Sequence, residues 1–195
     1  MKRIIPMALA LVFALSAFPD EVPQTDHDKV VHHLELTQMK FLGSVRGLSE
    51  AQWKFKPAPE RWSIAEVAEH ITAAESLLRG MAADAMKTKL DAPANQDEKV
   101  TTAVVDRSKK FKAPEPLVPT NRFTTPEATI AEFRKQRAET IKLAASDVDL
   151  RGTGAKHFLF GPLDTSGWLL FLSAHSARHT LQIEEVKADP NFPKE

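Results

Sequence analysis

The chain has 195 residues, 43% of them hydrophobic and 27% charged, a length and balance that suit one folded domain. Lys plus Arg and Asp plus Glu stand at 26 each, so no excess of positive charge points to a nucleic-acid partner. There is no cysteine, which excludes a disulfide frame, a thiol nucleophile, a lipidated cysteine and any thiolate metal ligand.

Lys2 and Arg3 precede an apolar run over residues 4–18, with small side chains at Ala14, Ser16 and Ala17. This is the pattern of a secretory signal, and its core is shorter than the ~20 residues that span a bilayer. Residues 1–17 are therefore expected to be a signal peptide and 18–195 a single domain. The protein is expected to be secreted or periplasmic, with no stable membrane anchor after cleavage. Loss of Lys2 and Arg3 leaves 24 positive against 26 negative charges, a net of −2.

Four segments carry the three- and four-residue spacing of amphipathic helices. The first covers about 26–47, with Val31, Leu34, Gln38, Phe41, Leu42 and Val45 on one stripe and Gly47 suited to its end. A short turn at Ser49–Gln52 and a Pro-bearing crossing, Lys56-Pro57-Ala58-Pro59, follow. The second helix opens at Ser63 with a capping box closed by Glu66, and runs to about Lys87 with Ile64, Val67, Ile71, Ala74, Leu78 and Met81 inward. The third opens on Thr125, Pro126 and Glu127 and runs to about Ala145, with Ile130, Phe133, Ile141 and Ala144 inward. The fourth runs from about Asp164 to Ala188, with Trp168, Phe171, Leu172, His175, His179, Ile183 and Val186 on its inner side.

Residues 89–125 are the least regular stretch: a short helix is expected over 100–110, then an extended connector set by Pro114, Pro116 and Pro119. A connector that long inside a compact domain is usually functional or mobile. No strand alternation or hairpin signal competes, so the expected fold is all-α, a four-helix up-down bundle.

His175 and His179 stand at i and i+4, which puts two imidazoles on one helix face within reach of one ion. Such a pair arises by chance in a chain with seven histidines, and alone it reads equally as two partly exposed side chains. Its setting is more informative. The pair lies among Phe171, Leu172 and Ile183, where unpartnered imidazoles are costly to desolvate. His70 lies inward on the second helix, between Val67 and Ile71. Three neutral imidazoles on facing helices suit a zinc-type ion with one position open. The reading that they only satisfy one another in the core stays open on spacing alone.

Residues 62–70, Trp-Ser-Ile-Ala-Glu-Val-Ala-Glu-His, resemble the segment opening the second helix of DinB-like (YfiT-like) proteins. Residues 175–183, His-Ser-Ala-Arg-His-Thr-Leu-Gln-Ile, resemble that family's closing His-x-x-x-His motif with its following Gln. Pro57-Ala58-Pro59 and Phe160-Gly161-Pro162-Leu163 fit as well. The resemblance implies a four-helix bundle with one divalent metal ion, zinc or nickel, on His70, His175 and His179. It further implies a metal-dependent hydrolase or transferase acting on a small molecule through metal-bound water, with a non-catalytic periplasmic metal- or ligand-binding bundle as the alternative. The family's thiol-dependent members work inside the cell, which the export signal sets against a thiol substrate here. The expected partner is a small-molecule substrate, and a homodimer is left open.

Around the triad, Gln182 is a candidate to orient a ligand or the bound water, or else a surface amide. Glu66 is a candidate base already explained by its capping box, and Gln38 a polar break in the first stripe. Arg178 is expected either to meet an anionic substrate group or to be solvated. His27, His32 and His33 are expected to be exposed, and His157 lies in the loop before the last helix. His175 is followed by Ser176, so the His-Glu-x-x-His of zinc proteases is absent, as are a Gly-x-Ser-x-Gly elbow and a dinucleotide fingerprint.

Overall fold

A computed structural model describes residues 25–94, 96–123 and 125–194. The expected signal peptide lies outside the described residues. Four long helices, α1 (Asp26–Ser44), α3 (Ile64–Ala85), α5 (Pro126–Ala144) and α6 (Thr165–Lys187), form the bundle, with shorter helices α2 (Glu50–Lys54) and α4 (Asp97–Val105) between them. Side-chain caps set the starts. Thr25, Ser49 and Ser63 each close a capping box, with Asp28, Gln52 and Glu66, while Thr125 and Asp164 cap α5 and α6.

The bundle is not a simple alternation of up and down, which corrects the order expected from sequence. His27 at the start of α1 meets the carbonyl of Ala144 at the end of α5, so those two helices are antiparallel. His33 and Thr37 meet Ser173, and Lys187 reaches Ser44, so α1 and α6 are parallel. His70 meets His175 and His179, and Met81 lies beside Trp168, so α3 opposes α6. α3 and α5 therefore run the same way. The cause is the connector 86–125: it leaves the end of α3 and returns along the bundle to Glu69 and His70 near its start. Helix α4 then packs on α6 as a fifth, outer helix.

A second correction concerns strands. Residues Gly154–His157 (β1) and Gly161–Asp164 (β2) pair antiparallel, with His157 opposite Gly161. The three-residue tip, 158–160, leads into Gly161 at φ +73°, a left-handed conformation that glycine adopts without strain. Gly154 lies so close to the Leu163 carbonyl that a Cβ there would clash. Four-residue strands are too short to show alternation, which is why the hairpin leaves no periodic trace.

Residues 163–174 are buried without interruption, because α1, α3, α4 and the hairpin enclose the first half of α6. The core divides into two apolar clusters. One gathers Val30, Leu34, Leu78, Val100, Leu163, Trp168 and Leu172; the other gathers Phe41, Trp53, Ile64, Val67, Ile71, Phe133 and Ile183. A polar layer of Thr37, Glu75, Arg137, Ser173 and Ser176 lies between them. Arg137 donates to both Glu75 oxygens, to Thr37, to Ser176 and to the Leu34 carbonyl, and so ties all four long helices together. No helix among the described residues is long and apolar enough to cross a membrane.

Candidate metal centre

The antiparallel packing of α3 on α6 brings His70 against the His175/His179 edge. His70 Nε2 lies 3.3 Å from His175 Nε2 and 3.1 Å from His179 Nε2. One nitrogen from each ring lies within 4.8 Å of the others, and no other such group of ligands occurs among the described residues. Two nitrogens held at about 2.05 Å from a tetrahedral ion stand about 3.3 Å apart, so the spacing fits. Trp62 covers His70 with ring centroids 5.0 Å apart.

The other ring nitrogens decide where the protons are. His70 Nδ1 lies 2.8 Å from the Leu117 carbonyl, which only accepts, so Nδ1 carries the proton and Nε2 is bare. His179 Nδ1 lies 2.8 Å from Gln182 Oε1, whose identity as oxygen is supported by the donor Arg107 Nη1 at 3.5 Å. His179 Nε2 is therefore bare as well. Two lone pairs face each other at 3.1 Å, and one proton from His175 could serve only one of them. In these tautomers mutual hydrogen bonding leaves one of the two lone pairs without a donor.

Protonation is opposed too. His179 is pushed down to about 3, chiefly by burial and then by His70, despite its bond to Gln182. His175 lies well below the ordinary histidine range and His70 below it, in both cases led by burial. Neutral imidazoles held together in this way are the donor set that zinc and nickel take.

The remaining candidates fall into place one by one. Gln182 accepts from His179 as described. Glu66 caps α3 and pairs with Lys56 at 2.9 Å, which leaves it no freedom as a base. Gln38 is half-buried and makes no hydrogen bond with the triad; Thr37 takes the inward position on α1. Arg178 neither waits for a substrate nor meets solvent: it is buried and donates to the carbonyls of Val104, Asp106 and Lys109, closing the end of α4. His27 and His33 are partly buried, against Ala144 and Ser173, and only His32 is exposed. His157 is buried outside the triad, among Phe158, Phe160, Trp168 and Phe171, with Phe171 standing between it and His175.

Sequence reasoning passed over Glu69, Arg107 and Arg122. Glu69 is buried beside His70 and accepts from the backbone N–H groups of Thr120 and Arg122 and from the Arg122 guanidinium. Arg107 forks onto Glu185 and reaches Gln182. A carboxylate next to an inward histidine was a signal, but its partners lie about fifty residues away.

Residues 33–183, a span that includes all three histidines, match the DinB superfamily. The chain belongs to this family. It is 30% identical over 146 residues to the uncharacterized protein YuaE of Bacillus subtilis, a match covering 73% of this chain and 88% of YuaE. Its fold is similar to that of YfiT from Bacillus subtilis, with a TM-score of 0.60 and 16% identity, covering 90% of this chain and 94% of that one. YfiT is described as a probable metal-dependent hydrolase with an unusual four-helix bundle topology. In this DinB-like four-helix bundle the three histidines place one nitrogen each close enough together that they could hold a metal ion.

Proposed function

We propose that His70, His175 and His179 hold one divalent ion, zinc or nickel, and that the protein is an exported metal-dependent hydrolase or transferase acting on a small molecule. The observation that carries the metal is the approach of His70 Nε2 to His179 Nε2 at 3.1 Å while the other nitrogen of each ring faces an oxygen of Leu117 or Gln182. The description of YfiT supports the hydrolytic reading. An ion with three neutral ligands and an open position lowers the pKa of bound water towards ~7 and polarises a carbonyl. The residues do the rest: Leu117 and Gln182 hold two rings in the ligating tautomer, and Trp62 restricts solvent at His70. Export is supported by Lys2, Arg3 and the apolar run that follows.

A second reading, a non-catalytic metal- or ligand-binding bundle, is favoured by the carboxylates nearest His70 on α3. Glu66 and Glu69 are both engaged, so neither is free to move a proton. Metal analysis of mature protein purified without a histidine tag tests the site; less than a trace of bound metal after equimolar loading rejects it. Turnover of ester, amide and thiol-transfer substrates by the loaded protein then separates enzyme from binder. Intact-mass measurement of native exported protein should give a chain beginning near Phe18, and a full-length mass rejects export by this signal.

A further inference from the structure

We propose that Glu69 and Arg122 are positioning residues for His70, acting through the loop 116–122; the proposal rests on His70 being a metal ligand. The loop carries the Leu117 carbonyl that accepts from His70 Nδ1. That carbonyl must stay in place for the ring to keep its Nδ1–H form and aim the bare Nε2 at His175 and His179.

The start of the loop is held locally by a 3-10 turn over Glu115–Leu117, in which Leu117 N–H donates to the Pro114 carbonyl at 2.9 Å and Val118 N–H to the Glu115 carbonyl at 3.2 Å. The loop contains two prolines, Pro116 and Pro119, and Asn121 sits at φ 60° in the left-handed region. The turn is fastened to α3 by one ion pair. Glu69 Oε1 accepts from Thr120 N at 2.6 Å and from Arg122 Nη1 at 2.9 Å, while Oε2 accepts from Arg122 N at 3.1 Å. Arg122 Nη2 then turns back to the carbonyls of Pro116 at 2.9 Å and Val118 at 3.1 Å. Those are the carbonyls of the residues on either side of Leu117. The guanidinium thus ties both neighbours of the carbonyl that His70 uses, and the carboxylate ties the guanidinium to the residue preceding His70. Leu117 itself is buried, so the loop is plugged into the bundle at this point.

A carbonyl partner on the far nitrogen of a ligating histidine fixes tautomer and ring orientation, and disturbing such partners typically costs roughly 10–100-fold in metal affinity. Here the partner is a backbone group, which cannot be deleted by substitution. Control of His70 is therefore delegated to the two side chains that hold that backbone.

The test uses the full mature chain with Glu69→Gln, Arg122→Ala and Arg122→Lys, titrated with zinc alone against a competing chelator. The His70 ring tautomer is read by long-range proton–nitrogen correlation in the metal-free protein. Arg122 is part-exposed, so Arg122→Ala should fold even if Glu69→Gln does not. The expected result is a roughly 10–100-fold loss of zinc affinity in Glu69→Gln and Arg122→Ala, with loss of the fixed Nδ1–H form of His70. Arg122→Lys, which keeps the charge but not the fork, should lie between. Wild-type affinity in both variants, or reduced affinity with the His70 tautomer unchanged, overturns the proposal and shows a loop staple of structural value only. If the wild-type chain binds no zinc but the tautomer still depends on Glu69, the positioning stands and the metal reading falls. If neither holds, both fall.

Discussion

Arg137 and Glu75 meet as a bidentate ion pair at the centre of the bundle, Nε and Nη2 on the two carboxylate oxygens at 2.7 and 2.8 Å, with both side chains fully buried. The pair is held between two apolar clusters, where either charge alone would lack a partner. Single substitutions Glu75→Leu and Arg137→Met should each destabilise the fold by about 3–5 kcal/mol, the cost of stranding a buried charge or its hydrogen-bonding partners. The double variant Glu75→Leu with Arg137→Met should lose less than the sum of the two singles. Urea unfolding of the four chains checks this, and additive losses would contradict it.

Gln182 holds the tautomer of His179 as Leu117 holds that of His70. Gln182→Leu removes the acceptor and should lower metal affinity by roughly 10–100-fold with the fold intact. Gln182→Glu retains an acceptor and should keep most of the affinity. Calorimetric titration of metal into each variant decides the matter.

Metal that binds only the folded protein stabilises it by about 2.7 kcal/mol at a hundredfold excess over Kd, so loading should raise the melting temperature and chelation should reverse the rise. His179→Ala should abolish most of the rise, and His157→Ala should leave it nearly unchanged. A full rise in His179→Ala would remove the site as assigned.

The pH dependence of that binding should be unusual. A histidine of ordinary pKa loses metal affinity by roughly tenfold per pH unit below about 6.5, as protons displace the ion. Burial holds His179 down to about 3 and depresses His70 and His175 as well. Affinity measured on folded protein should therefore stay nearly level as pH falls through 6.5. A decline centred near 6.5 would show that the rings are solvated in the absence of metal.

His157 gives a separate stability prediction. Its ring is buried among aromatic side chains, its Nδ1 accepts from Leu159 N–H, and burial pushes its pKa from 6.5 down to about 4. The unfolded chain binds this proton more readily, so stability rises with pH between the two values and is lost as pH falls from about 6.5 towards 4. The shift corresponds to roughly 3 kcal/mol at full effect. His157→Phe should lose that part of the acid sensitivity. The check is the difference between variant and wild-type unfolding free energies at pH 7 and pH 4.5; equal slopes would contradict it.

What was legible in the sequence was local. The caps at Thr125 and Ser63 and the apolar spacing placed the four long helices to within a few residues, because capping and periodicity are properties of neighbours in the chain. The expected helix over 100–110 lies at Asp97–Val105, since its start has no side-chain cap to mark it. The inner stripe of α1 falls on Val30, Leu34, Thr37 and Phe41, with Thr37 in place of Gln38, because a polar hydroxyl there meets Arg137 and Ser173.

The three histidines were legible for a similar reason: two share one helix face by spacing, and the third sits on an apolar stripe. That they meet, and which nitrogen each presents, is decided by the antiparallel packing of α3 on α6 and by partners far along the chain. Leu117 is 47 residues from His70, and Arg137 is 62 from Glu75. The same distance hid the parallel course of α5, the burial of Arg137 and Arg178, and the Glu69–Arg122 clasp. Helix formation follows from hydrogen bonds within a turn and from the side chains beside them. The pairing of buried charges and the tautomers of buried rings follow from groups that only the folded chain brings together, and those had to be read from the tertiary structure.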